Sequence, residues 1–72
     1  MAFEPLEVTV DGQPVQLFRG AEVKHALNWV GGHQLVARVK AGKVIIWDET
    51  AGAQTDLGGA LYPGQRLAIR NP

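Results

Sequence analysis

Two histidines, the acidic trio Asp48, Glu49 and Asp56 and a scattered set of cations are the side chains here whose types and placement could do chemistry. His25 and His33 flank Gly31-Gly32. A metal site needs three or four converging ligands. Two histidines in a chain without cysteine do not supply them, so one exposed helix histidine and one loop histidine are expected. Asp48, Glu49 and Asp56 could suggest acid–base work or calcium ligation. Their spacing matches no calcium loop, and no base or nucleophile accompanies them. They read as solvated loop charges. Serine and cysteine are both absent, which removes the two commonest nucleophiles. Thr9, Thr50 and Thr55 remain without a supporting pattern. The nine glycines nowhere form a phosphate loop or a dinucleotide fingerprint. No catalysis, no metal and no cofactor are expected.

Composition narrows the class further. A chain of 72 residues makes one small domain, taken as residues 1–72. Such a domain buries a limited core and gains from a staple or a partner. With no cysteine, disulfides and thiolate-ligated metals are ruled out as that staple. Seven basic residues balance seven acidic ones. No net field would steer the domain to nucleic acid or to an anionic membrane. The opening "MAFEPLEVTV" lacks the basic and long apolar regions of a signal peptide. No apolar run approaches membrane-spanning length. A soluble, cytoplasmic domain is expected.

The elements that would position these residues follow from period and punctuation. "LEVTV" alternates, with Leu6, Val8 and Val10 on one side and Glu7 and Thr9 on the other. That is a half-buried strand. Asp11-Gly12 is a hairpin signal, and "PVQLF" resumes the alternation. Pro14 cannot donate to a ladder, so this second strand belongs at a sheet edge. After Gly20 the period changes. Val23, Ala26, Leu27 and Val30 make one helical stripe, which Gly31-Gly32 should stop. "LVARVK" alternates again, "AGK" turns the chain, and "VIIWD" follows with Val44 and Ile46 inward and Ile45 and Trp47 outward. Residues 48–65 read as irregular, with Pro63-Gly64 at the centre of a turn. "RLAIR" closes the chain, Leu67 and Ile69 inward, Arg66, Ala68 and Arg70 outward. Trp29 is placed at the helix–sheet margin, and Tyr62 should anchor the crossover. The fold class expected is α+β: a mixed four- to five-stranded sheet packed on one helix in ββαββ order.

Two stretches, "VTVDGQPVQLFRGAEVKHAL" and "DLGGALYPGQRLAI", carry a resemblance that spans nearly the whole chain. The first is similar to the hairpin, glycine and helix start of the β-grasp (ubiquitin-like) superfamily, nearest to ThiS/MoaD-type sulfur carriers and TGS domains. The second is similar to the ending that recurs in them. The resemblance implies a β-grasp sheet with the last strand beside the first, in the middle. It does not bring the superfamily's best-known chemistries. The chain ends "RLAIRNP" instead of Gly-Gly, Gly58-Gly59 is internal, and the ferredoxin cysteines are missing.

The remaining candidate is a surface. Arg38, Lys40, Arg66 and Arg70 all fall at outward strand positions in this reading, as do Phe18, Ile45 and Trp47. One helix covers one face of a sheet and leaves the other open. Tryptophan and arginine are the types enriched where binding energy concentrates. Arg38, Lys40, Ile45, Trp47, Arg66 and Arg70 are therefore the expected contact set for a protein partner, in a non-catalytic interaction module. Two alternatives stand beside it. A TGS-like regulatory module would use the four cations on RNA or a nucleotide, although neutral net charge weighs against phosphate binding. A sulfur-carrier-like protein would first need processing at the internal Gly-Gly.

Overall fold

A computed structural model describes residues 4–72; Met1–Phe3, the start of the stretch read for a signal peptide, lie outside it. Strands β1 (Pro5–Val10) and β2 (Gln13–Phe18) precede helix α1 (Val23–Lys40). Strands β3 (Ile45–Asp48), β4 (Ala53–Thr55) and β5 (Arg66–Arg70) follow it. They form one five-stranded sheet in the order β2-β1-β5-β3-β4. β1 and β5 run parallel, and the remaining pairs are antiparallel. The fold is α+β, a mixed sheet with a single helix. Among the described residues, no helix is long and apolar enough to cross a membrane.

The first hairpin forms where its turn chemistry demands. Asp11 and Gly12 both take positive φ, 51° and 82°. Those values suit a type I′ turn, whose twist matches the flanking strands. Asp11 has a second duty, because the Ile69 amide donates to its Oδ1 at 3.0 Å. The side chain thereby prolongs the β1–β5 ladder beyond the end of β1. β2 lies at the sheet edge, where Pro14 leaves no ladder bond unmade.

The helix departs from the sequence expectation. Gly32 does interrupt it, with φ 66° and ψ −164°, but the chain resumes helical geometry and continues to Lys40. Residues 35–40 are therefore the second segment of a kinked helix, not a strand. The observed element order is two strands, a helix and three strands. The hairpin expected between 35–40 and 44–48 is replaced by one between β3 and β4. The physical reason lies in a short window. Leu35, Val36 and Val39 alternate imperfectly, yet they also sit one helical turn apart and can share a face. They are half-buried against the core in the helical arrangement. Gly31 makes that possible: a Cβ there would lie 2.7 Å from the Leu35 Cβ.

The core sits between the helix and one sheet face. Leu6, Val8, Val10 and Val15 meet Val23, Ala26 and Leu27 there, with Ile46 and Leu67 from the later strands. Leu17 and Ile69 are half-buried at its margin. The crossover between β4 and β5 clamps the helix start. The Val23 amide donates to the Gly59 carbonyl at 2.9 Å and the Lys24 amide to the Leu57 carbonyl at 3.0 Å. These are amides that a helix leaves without internal partners. The Glu22 amide is met by His25 Nδ1 at 2.8 Å.

Candidate functional site

The sheet face turned away from the helix is built mainly by β3 and β5. Alternation along β3 and the residue before it sends Val44 and Ile46 into the core and leaves Ile45 and Trp47 half-exposed on the other side. Alternation along β5 buries Leu67 and sends Arg66 and Arg70 outward. The antiparallel register then sets neighbours: Trp47 lies opposite Ala68, and Ile45 opposite Arg70. On the far side of β3, Trp47 faces Gln54 of β4. The Arg70 guanidinium carbon lies 5.2 Å from the centre of the Trp47 ring. That is a cation–π arrangement. Arg70 Nη2 also reaches Glu49 Oε2 at 4.0 Å, a loose and exposed ion pair. Ala68, beneath this assembly, is buried although it points away from the helix. Arg66 is exposed beside Thr9 of β1.

Of the six residues expected to form a contact surface, the structure brings Ile45, Trp47, Arg66 and Arg70 onto one face. Arg38 and Lys40 are not among them. Both stand in the last turn of α1, on the opposite side of the sheet. The four-cation stripe does not form, because the segment that was to supply half of it is helical. Phe18 is exposed as expected, at 51%. Trp29 is near the helix–sheet margin, as expected, but it is not packed there: it is 60% exposed beside Leu17 and Phe18.

Asp48 corrects another expectation. It is not a solvated loop charge but a buried carboxylate at the end of β3. Its Oδ1 accepts from the amides of Thr50 at 2.9 Å and Ala51 at 3.0 Å. Its Oδ2 accepts from the Tyr62 hydroxyl and from Gln65 Nε2, each at 2.8 Å. Burial by itself pushes this carboxyl upward. The hydrogen bonds from Ala51, Tyr62, Gln65 and Thr50 together outweigh it and hold Asp48 below the usual carboxylate range. The same hydrogen bond to Asp48, with some burial and the carboxylate's charge, raises the Tyr62 phenol. Thr50 adds a further tie, since its Oγ1 accepts from the Arg66 amide at 2.9 Å. The network fastens the β3–β4 turn to the turn before β5. Tyr62 thus anchors the crossover, as its position suggested. The signal that could have revealed Asp48 is local: an aspartate closing a strand just before "ETAG" is placed to accept from the turn amides. Its long-range partners, Tyr62 and the buried Gln65, had no local signal.

With four donors on its two oxygens, Asp48 is committed to structure and not poised as a base. His25 caps the helix, and among the described residues no group of three or more metal-ligating side chains converges. Gly59 is held by close packing, since a Cβ there would lie 2.6 Å from Thr55 Oγ1. What the geometry offers is a mixed apolar and cationic surface on a rigid sheet. Compared with family models, curated proteins and solved structures, the chain has no significant match.

Proposed function

We propose that this chain is a β-grasp, ubiquitin-like interaction module that binds a protein partner through the open face of its sheet. The central position of β5, parallel to β1, supports the β-grasp reading, as does the single helix on one face. The observation that carries the functional reading is the Trp47–Arg70 pair on a face that no described element covers. A large aromatic, a branched aliphatic in Ile45 and the exposed Arg66 give that face the composition of an interface core with a polar rim. Both arginines project from a strand held on both sides, so the backbone beneath them needs no ordering on binding and only their side chains do. The module is non-catalytic in this reading and is placed in the cytoplasm.

Neither alternative gains an observation. The RNA or nucleotide reading needed Arg38 and Lys40 beside Arg66 and Arg70, and they lie on opposite sides of the sheet. The sulfur-carrier reading needs cleavage after Gly59, the residue whose carbonyl holds the first helix amide, and that cleavage would carry away the central strand β5. The test is capture with the immobilised domain in three forms: wild type, Trp47→Ala and Trp29→Ala. A protein retained by wild type and by Trp29→Ala, but not by folded Trp47→Ala, supports the open face. Retention unaffected by Trp47→Ala rejects it.

A further inference from the structure

We propose that the free edge of β2 pairs with the same edge of a second copy of this chain, antiparallel and centred on Gln16. The argument begins with main-chain groups. Among the described strands, β2 has a single neighbour, β1. The Arg19 amide donates to the Glu4 carbonyl, so Glu4 and Arg19 form a bonded pair of this ladder. Bonded pairs recur every second residue, which makes Leu6–Leu17, Val8–Val15 and Val10–Gln13 the others. The opposite side of β1 agrees: the Glu7 carbonyl accepts from Gly64 and the Thr9 amide donates to Gln65, both away from β2. Their partners Gln16 and Pro14, with Phe18, therefore direct their main-chain groups out from the sheet edge.

The inventory of that edge is self-complementary. It offers the Pro14 carbonyl, the Gln16 amide and carbonyl, and the Phe18 amide. The Phe18 carbonyl already accepts from the Ala21 amide at 3.1 Å. Pro14 has no amide hydrogen. A two-fold axis at Gln16 sets Gln16 against Gln16 of the second copy, each donating to the other. It sets each Phe18 amide against the other copy's Pro14 carbonyl. The one carbonyl that receives nothing is the one already bonded. A foreign strand would have to reproduce this pattern of missing groups; a second copy brings it. The Pro14 ring widens the ladder at its ends, so the tightest pairing is at Gln16.

Charge and apolar surface agree with a like partner. β2 carries no charged residue, and neither does the groove beside it, lined by Pro5, Gln16, Leu17, Phe18 and Trp29. The chain as a whole has zero formal net charge. Two identical edges therefore meet without repulsion. Apart from Pro14, β2 lacks the devices that usually guard a strand edge, having no lysine and no inward charge. Among the described residues, the most exposed of the large apolar side chains, Trp29 and Phe18, flank it. The other sheet edge, β4, is only three residues long, so pairing through β2 closes at two copies.

Sedimentation and amide exchange across about 10 μM to about 1 mM test this. A dimer should form within that range. The Gln16 and Phe18 amides should gain protection with concentration, whereas Val15 and Leu17, already bonded to β1, should not. Gln16→Lys places like charges across the axis at a residue whose side chain is exposed. It should raise the dimer dissociation constant by about tenfold or more, with an unchanged melt at low concentration. Trp47→Ala should leave the dimer intact, which separates this inference from the open-face reading. A chain that stays monomeric at the highest concentration overturns it. So does a dimer indifferent to Gln16→Lys, and so does protection of the Gln16 amide by another protein on a chain that never dimerises.

Discussion

The Tyr62 hydroxyl donates to Asp48 Oδ2 at 2.8 Å and couples the crossover to the end of β3. Asp48 and Gln65 are the buried polar side chains among the described residues, and their network leaves no buried side-chain donor or acceptor unmet there. Satisfied networks of this kind favour one arrangement, since a partial one costs more than none. Asp48→Ala would strand Gln65 Nε2 and two turn amides. It should cost about 2–4 kcal/mol. Tyr62→Phe, which removes one donor, should cost about 1 kcal/mol. Denaturant melts of both variants check the order.

The same pair sets a pH dependence. Asp48 is held below its unfolded-chain value of 3.8, so its contribution is complete above that value and is lost as pH falls through the lower folded one. Tyr62 is raised above 10.0, so its contribution is complete below that value and is lost as pH rises through the higher folded one. Stability should be flat in between and decline on both sides. Asp48→Asn should flatten the acid limb, and Tyr62→Phe the alkaline one. Thermal melts against pH measure both.

At the helix kink, Gly32→Ala forces a Cβ into a positive-φ, extended conformation that is essentially glycine's alone and should cost about 1–3 kcal/mol. Gly31→Ala should push Leu35 off the core and cost at least as much, because the intruding contact is with its Cβ and not a flexible tip. Carbon chemical shifts of residues 33–40 should lie on the helical side in the wild type.

Leu27 is wholly buried where the helix meets β1 and β2. Leu27→Ala should cost about 2–5 kcal/mol, a large part of the stability available to so small a domain. A shift of the urea midpoint with an unchanged slope is the expected result.

On the open face, Trp47→Ala should weaken partner binding by about 2 kcal/mol or more while altering the melt much less. Arg66→Glu should act through charge and lose its effect as salt is raised. Arg70→Ala should fall between them, since Arg70 both covers Trp47 and supplies charge. Binding titrations paired with melts separate contact from folding.

The two-strand opening, its turn, the edge position of β2, the start of the helix and the inward set on the last strand are all legible in residue types and their spacing. Those are local matters. Asp11-Gly12 states its turn, Pro14 its edge, and a two- or 3.6-residue period its face. Equally legible is the opposition of Ile45 and Trp47 to Val44 and Ile46, because alternation is a property of the backbone. The fate of residues 35–40 was settled by long-range packing. Six residues whose apolar positions suit either period take the one that buries Leu35, Val36 and Val39 against a core already present. That choice carried Arg38 and Lys40 to the far side of the sheet. Tertiary structure alone also made Asp48 a buried hub, since Tyr62 and Gln65 reach it across long loops. It likewise set Arg70 over Trp47, through a register that no single strand encodes. Local sequence specifies the direction of a side chain, whereas its neighbours depend on which distant segments the shared core draws together.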